Sequence, residues 1–248
     1  LTFEATGSTD LEESLALARM LVERNPGDGE RLFGLGQSHY WVAYVHLRRR
    51  DLEAALHHFK AYLDVATRLT AMDPGRADWR RELAYAHSNI GSVLQERHDL
   101  AGALERFTAC LTIQRGLLAA APRDPELEQT VAASHSLVAF VLKSLGRLNE
   151  ALEHFRAEAV IRERMVARDG ANANWQRWLS VNHSYIGDML AALGDPAGAL
   201  ARYQKAIGDG LLRAATEEDA HGSEQNGCAF ALLSDGYEND PAYWDDVR

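Results

Sequence analysis

Histidines recur along this chain at a constant spacing, and histidine is a common metal ligand and proton-transfer group. His39, His87, His135 and His183 are each 48 residues apart. Zinc ligands lie about 2 Å from the metal, whereas neighbouring packed helices lie about 8–10 Å apart. Because the four side chains cannot converge on one ion, the sequence predicts no metal site and no cofactor. We expect each histidine to be a packing residue that hydrogen-bonds between helices.

Other reactive side chains do not form a catalytic arrangement. Serine directly follows three of these histidines, but adjacent helical residues point about 100° apart and make a poor nucleophile–base pair. His57 and His58 diverge for the same reason. The sequence holds no glycine-rich phosphate-binding loop and no Gly-x-Ser-x-Gly turn. We therefore expect a protein that is not an enzyme, with Cys110 a half-buried small residue and Cys228 in an irregular tail.

Composition excludes several functional classes. The chain has 248 residues, 46% of them hydrophobic, with 36 acidic against 26 basic residues and a net charge of −10. The acidic excess argues against a nucleic-acid partner, because that affinity depends on neutralising phosphates. Two cysteines argue against a disulfide scaffold, and no apolar run reaches the about 20 residues that cross a membrane. We expect an acidic cytoplasmic protein without a membrane partner; because it lacks an initiator Met, the chain could be a fragment of a longer protein.

Several classes of residue share the 48-residue period. Phe59, Phe107, Phe155 and Tyr203 follow it, as do four Ala-Leu pairs that begin at residues 55, 103, 151 and 199. Such a fixed period is typical of repeat architectures. The sequence predicts four repeats at 27–74, 75–122, 123–170 and 171–218, a partial repeat at 1–26 that caps the array, and an irregular acidic and aromatic tail at 219–248.

Each repeat is predicted to hold two helices. Apolar and small residues recur at i, i+1 and i+4 in the first, as in Ile90, Gly91 and Leu94, which is helical periodicity. Gly146 and Gly194 stand where the first helix should end in a left-handed residue. The predicted N-caps of second helices are Asp51, Asp99 and Asp195, and those of first helices are Asp78 and Asn174.

The pattern resembles the tetratricopeptide repeat. A small residue (Ala43, Gly91, Ala139 or Gly187) is followed twelve residues later by Ala and four residues after that by Phe or Tyr. The stretches 88–107 and 184–203 carry the likeness most clearly. Two features differ from that family: the period is longer than its usual 34 residues, and His replaces the aromatic residue that commonly opens the motif. The resemblance implies an all-α fold, a right-handed α-solenoid of stacked antiparallel helix pairs, whose first helices line a concave groove for a peptide or protein segment.

The predicted groove residues lie on the first helices of the repeats. Independently of the family, the spacing 37, 40, 44 and 47 defines one helical face, and tyrosine is a common binding anchor. The family's carboxylate clamp uses lysine where this chain has Tyr40, Ser88, Ser136 and Ser184, so we expect no such clamp. The candidate partner-binding residues are Gln37, Tyr40, Tyr44, Leu47, Arg48, Tyr85, Ser88, Ser92, Gln95, Phe140, Lys143 and Asp188.

Two functional hypotheses follow. The first is a non-enzymatic protein–protein interaction scaffold, whose net acidic surface favours a basic or neutral partner. The alternative is a regulatory module of a larger signalling or effector enzyme whose catalytic domain is absent from this chain. Residues 235–246 resemble the opening of formylglycine-generating-enzyme-like domains, which implies a catalytic part beyond Arg248; a linker or a tail that folds back are the other interpretations. The sequence does not determine the partner's identity or the oligomeric state.

Overall fold

The computed structural model describes residues 3–208, with side chains for residues 11–207. The predicted tail at 219–248, which carries the resemblance to formylglycine-generating-enzyme-like domains, lies outside this range. Within residues 3–208 all regular secondary structure is α-helical, which confirms the all-α prediction. The helices are α1 (Phe3–Arg24), α2 (Gly29–Arg48), α3 (Leu52–Met72), α4 (Ala77–Glu96), α5 (Leu100–Ala120), α6 (Pro125–Ser144), α7 (Leu148–Arg168), α8 (Ala173–Ala192) and α9 (Pro196–Gly208). None of the helices described here is long and apolar enough to cross a membrane.

The helices reproduce the sequence period. α2, α4, α6 and α8 begin at residues 29, 77, 125 and 173, and α3, α5, α7 and α9 begin at 52, 100, 148 and 196. Helices of 20 and 21 residues alternate from α2 to α7. At a rise of 1.5 Å per residue each is about 30 Å long, so long helices rather than long turns account for the 48-residue period. The division of the chain into four repeats stays a prediction.

The turn between the two helices of each repeat has one conformation. Arg50, His98, Gly146 and Gly194, which share the period, have φ angles of 61°, 61°, 73° and 84°. The left-handed residue stops the first helix, and in three of the four turns an aspartate caps the second; the turn before α7 has Arg147 at that position. The caps are confirmed for the three predicted residues: Asp51 accepts the N–H of Ala54 at 3.2 Å, Asp99 that of Gly102 at 2.9 Å, and Asp195 that of Gly198 at 2.9 Å.

The predicted caps of α4 and α8 are wrong by two residues. α4 begins after Arg76, which makes no side-chain cap hydrogen bond, and α8 begins after Asn172, whose Oδ1 accepts the N–H of Trp175 at 3.1 Å. Asp78 instead pairs with the Arg76 guanidinium, with Nε 3.0 Å from Oδ1. The caps of α2 and α6, Asp28 and Asp124, occupy the same register position.

The chain divides into two compact units. The N-terminal unit holds α1–α5 and most of α6, and the C-terminal unit holds residues 135–139 with α7–α9. In the N-terminal unit α2 packs on α3, α3 on α4 and α4 on α5; in the C-terminal unit α7 packs on α8 and α8 on α9. The core of the N-terminal unit includes Phe59, Ile90 and Val93, and that of the C-terminal unit includes Phe155 and Ile186, both fully buried.

Two glycines allow close helix packing. A Cβ at Gly91 on α4 would lie 2.7 Å from Cε1 of Phe107 on α5, and one at Gly187 on α8 would lie 2.6 Å from Cε1 of Tyr203 on α9. Such separations are well inside carbon–carbon contact. The small residue of the motif therefore lets the aromatic side chain of the second helix lie against the first helix of the same pair.

Candidate interaction surface

The predicted groove residues differ in how much surface they present. Leu47 is only 7% exposed and lies in the core of the N-terminal unit, because its apolar side chain packs there at the end of α2. Ser92 is 8% exposed and donates its hydroxyl to the Ser88 carbonyl at 3.1 Å. These two residues cannot offer a partner much contact, so we remove them from the candidate surface.

The other predicted residues are half-buried or exposed. Gln37, Tyr40 and Tyr44 on α2 are half-buried, as are Tyr85, Ser88 and Gln95 on α4 and Phe140 on α6; Arg48, Lys143 and Asp188 are exposed. Asp188, in the C-terminal unit, accepts the Tyr203 hydroxyl at 2.7 Å.

Three tyrosines from three helices pack in or against one core in the N-terminal unit, and the hydroxyl of one of them reaches a glutamate carboxylate. The Tyr40 ring on α2 is 5.9 Å, between centroids, from the Tyr62 ring on α3. Tyr85 on α4 packs against the same core as Tyr40 and Tyr62. Glu82 lies one helical turn before Tyr85, and Gln37 one turn before Tyr40. We call these five residues the tyrosine–glutamate cluster.

Hydrogen bonds to Glu82 hold this cluster together. Its Oε2 atom accepts the Gln37 side-chain amide at 2.7 Å and also the Tyr62 hydroxyl. Burial raises the pKa of the Glu82 carboxyl, and the two hydrogen bonds oppose that rise. Burial and the negative charge of Glu82 raise the pKa of the Tyr62 hydroxyl, so Tyr62 is the donor and Glu82 the acceptor. One carboxylate oxygen thereby fastens α2 and α3 to α4.

The second carboxylate oxygen of Glu82 is open. No donor among the described residues hydrogen-bonds to Oε1, and that atom is not sealed from solvent. The charged groups that act on the Glu82 carboxyl from its own helix are Asp78, which raises its pKa, and Arg81, which lowers it. Glu82 can therefore accept a hydrogen bond from a ligand.

Sequence reasoning found Tyr40, Tyr85 and Gln37 but missed Glu82 and Tyr62. Glu82 precedes Tyr85 by three residues on one helical face, a signal that the sequence did contain. Tyr62 is on a second helix, so a search limited to first helices overlooks it. It is 2% exposed, and it reaches the cluster through its hydroxyl.

Two of the four histidines in the 48-residue row pair with a histidine of the following helix. His39 Nδ1 lies 3.1 Å from His58 Nδ1, and His135 Nδ1 lies 3.1 Å from His154 Nδ1. This confirms hydrogen bonding between helices for His39 and His135. The prediction is wrong for His87, whose Nδ1 is buried without a hydrogen-bond partner in the described part of the chain. Among the side chains that the structure describes, no three or more of His, Cys, Asp or Glu are arranged so that they could hold a metal ion.

Cys110 is more deeply buried than the sequence suggested, with 1% of its surface exposed. Its Sγ lies 3.5 Å from the Ser134 hydroxyl. Burial raises the pKa of the Cys110 thiol to about 11, so the reactive thiolate is scarce at neutral pH. Cys228 lies outside the described residues.

A buried polar network connects α7 to α8 in the C-terminal unit. Glu158 Oε1 accepts Arg162 Nε at 2.6 Å, and Glu158 Oε2 accepts the Asn182 amide at 2.8 Å. The Arg162 guanidinium also lies 5.3 Å from the Trp178 ring. Glu158 is 2% exposed, so this network offers no surface to a ligand.

A concave feature lies between α1 and α2. It is a shallow cavity of about 420 Å³, lined by Leu17, Leu21, Arg31 and neighbouring residues. Leu17 is 58% exposed and Leu21 38%. None of the predicted partner-binding residues lines it.

No protein-family model matches the sequence, and no curated protein matches it. Solved structures are similar to it. RapI in its apo form is 13% identical over 95% of this chain and 56% of its own, with a TM-score of 0.56. BtubC from P. vanneervenii is 20% identical over 87% of this chain and 92% of its own, with a TM-score of 0.46. YrrB, described as a TPR protein with an unusual peptide-binding site, is 18% identical over 83% of this chain and 80% of its own, with a TM-score of 0.41. At these identities the likeness is one of fold alone: an all-α fold of the tetratricopeptide-repeat type.

Proposed function

We propose that this protein is a non-enzymatic interaction scaffold that binds a peptide or protein segment on α2 and α4 of its N-terminal unit. The observation that carries the proposal is the tyrosine–glutamate cluster, in which the half-buried Tyr40 and Tyr85 pack against the same core as Tyr62, and Tyr62 is hydrogen-bonded to Glu82, a carboxylate with one further acceptor oxygen. Tyrosine rings held by their neighbours lose little entropy on binding and offer both apolar area and a hydroxyl group. The cytoplasmic location expected from the sequence is part of the same proposal.

Tyr40 is the central anchor in this proposal. Its ring contacts Tyr44 at 6.3 Å and Tyr62 at 5.9 Å, between centroids, so it is pre-positioned. A pre-positioned side chain is ordered before the partner arrives, which lowers the entropic cost of association. Gln37, Arg48, Ser88 and Gln95 would form the polar rim of this surface on α2 and α4. Phe140 and Lys143 would extend it onto α6, and Asp188 would contribute separately in the C-terminal unit.

The experiment is a selection of peptides from a random library on the full chain, followed by affinity measurement with fluorescently labelled peptides. Truncating an interface anchor to alanine typically costs about 2 kcal/mol or more, and rim residues cost little. We expect Tyr40→Ala and Tyr44→Ala to weaken binding at least tenfold while the circular dichroism signal stays helical. Lys60→Ala, an exposed change on α3, is the matched control and should leave affinity nearly unchanged.

Two outcomes would contradict the proposal. One is that no peptide binds the full chain. The other is that Lys60→Ala weakens binding whereas the two tyrosine variants do not, which would place the contact elsewhere.

A further inference from the structure

We propose that the tyrosine–glutamate cluster receives one basic side chain, lysine or arginine, of the bound segment, with Glu82 Oε1 as its acceptor. This inference rests on the proposed function and makes it more specific, because it names the chemistry that the central part of the surface selects.

The arrangement of Glu82 supports a cationic rather than a neutral ligand group. Its Oε2 atom already accepts Gln37 and Tyr62, so the carboxylate is held in one orientation with Oε1 left for a ligand. A carboxylate that is partly removed from water interacts more strongly with a cation than an exposed one does. Hydrogen bonds between ionised groups are also shorter and stronger than neutral ones. An ammonium or guanidinium group would therefore gain more here than a hydroxyl or an amide.

The tyrosines supply the second element of cation recognition. Tyr40 and Tyr85 are half-buried and belong to the two helices that also carry Gln37 and Glu82. The faces of aromatic rings attract cations within about 6 Å, and they also pack against the methylene stem of lysine or arginine. An acidic side chain would be repelled by the like charge of Glu82 and by the partly negative faces of the tyrosine rings.

The neighbouring charges around Glu82 are mixed, whereas the net charge of the chain favours a basic group. Asp78 adds negative charge near Glu82, whereas Arg81 opposes it from the neighbouring position on α4. No ion pair between Arg81 and Glu82 occurs in the described structure. The chain carries a net charge of −10, which steers basic segments toward it.

The test uses peptides selected on the full chain and replaces each basic residue by an uncharged one of similar size. Lysine is replaced by norleucine and arginine by citrulline. We expect one such replacement to weaken binding at least tenfold for the unmodified protein and less than threefold for Glu82→Gln. Glutamine keeps the size of the side chain and an acceptor for Gln37 and Tyr62, but it removes the charge.

The matched control is Glu105→Gln, which makes the same change in net charge at an exposed position on α5. It should leave the tenfold effect of the peptide replacement intact. Equal losses for the unmodified protein and Glu82→Gln would overturn the inference, as would selected peptides that contain no basic residue or bind best when acidic. Peptide binding that still depends on Tyr40 would then leave the proposed function standing.

A variant that unfolds would not block the test. If Glu82→Gln loses its helical signal, the peptide replacements are compared on the unmodified protein and on Tyr85→Leu, which keeps apolar volume but removes the ring. The loss of affinity caused by removing the positive charge of the peptide should then be at least threefold smaller for Tyr85→Leu than for the unmodified protein. An unchanged cost would overturn the inference.

Discussion

His39 and His58 form a hydrogen-bonded imidazole pair, with their Nδ1 atoms 3.1 Å apart. One ring donates and the other accepts. The accepting ring must carry no proton on its Nδ1 atom, so at least one of the two imidazoles is neutral. The rings of His58 and His46 also stack, with centroids 5.8 Å apart. A histidine cluster therefore joins α2 to α3 in the N-terminal unit.

The first prediction concerns acid stability. Burial, followed by the charges of Arg19, His58 and His57, lowers the pKa of His39 from 6.5 to about 4. The unfolded chain binds this proton at a higher pH than the folded chain does. The stability that neutral His39 contributes is therefore complete above pH 6.5 and is lost as the pH falls from 6.5 toward 4. Urea unfolding at pH 7.5 and pH 5 should show a fall in the free energy of unfolding of up to about 2 kcal/mol from this residue.

The variant His39→Gln should make the urea midpoint less dependent on pH. His98→Asn changes an exposed histidine in the turn before α5 and should leave the pH slope unchanged. A slope that persists in His39→Gln would show that other groups cause it. The facing groups to consider are His46, His57 and His58, together with Glu12 and Arg19 on α1.

The second prediction concerns close helix packing. Leucine at Gly91 must displace the Phe107 ring, and leucine at Gly187 must displace Tyr203. Overpacking of this kind costs about 1–3 kcal/mol, so Gly91→Leu and Gly187→Leu should each lower the urea midpoint. Gly34 is the control because a Cβ there meets nothing within 4 Å. Gly34→Ala should instead raise stability by about 0.5–1 kcal/mol, and a neutral result at both packed glycines would contradict the assigned contacts.

The third prediction concerns the left-handed turn residues. His98 has a φ of 61° with a side chain present, which costs about 1–2 kcal/mol relative to glycine. His98→Gly should therefore stabilise the protein by about 1 kcal/mol in thermal or urea unfolding. Gly146→Ala, at the same turn position one period later, should destabilise it by a similar amount. A loss of stability in His98→Gly would show that the side chain stabilises the turn by more than its strain.

The fourth prediction concerns the buried ion pair of Glu158 and Arg162. Arg162→Ala would leave Glu158 buried with Asn182 as its remaining hydrogen-bond partner among residues 11–207. Breaking a buried pair by removing one partner costs about 3–5 kcal/mol, and urea unfolding should show a loss of that size. Replacing both residues by leucine should be much less harmful, because it leaves no unpaired charge. A single variant as stable as the double one would contradict this account.

The sequence by itself determined the fold class and the helix register. The repeats share local signals. A left-handed residue, which is glycine in two of the four, ends the first helix; an aspartate caps the second helix in three of them; and a small residue is followed at a fixed spacing by an aromatic one. Gly146, Asp99 and Gly91 all have these roles in the structure. These signals act over a few residues, so spacing alone reveals them. The caps of α4 and α8 were predicted two residues late because a polar residue within the first turn resembles a cap when the backbone angles are unknown.

Only the tertiary structure decided which polar side chains meet. Gln37 and Glu82 are 45 residues apart in sequence, Tyr62 and Glu82 are 20 apart, and His39 and His58 are 19 apart. A repeat period states which positions are equivalent, but it does not state which side chains of α2, α3 and α4 face one another. That depends on the rotation and tilt at which the helices pack around Phe59 and its neighbours. The same packing buries Leu47 on the predicted binding face and leaves one oxygen of Glu82 open.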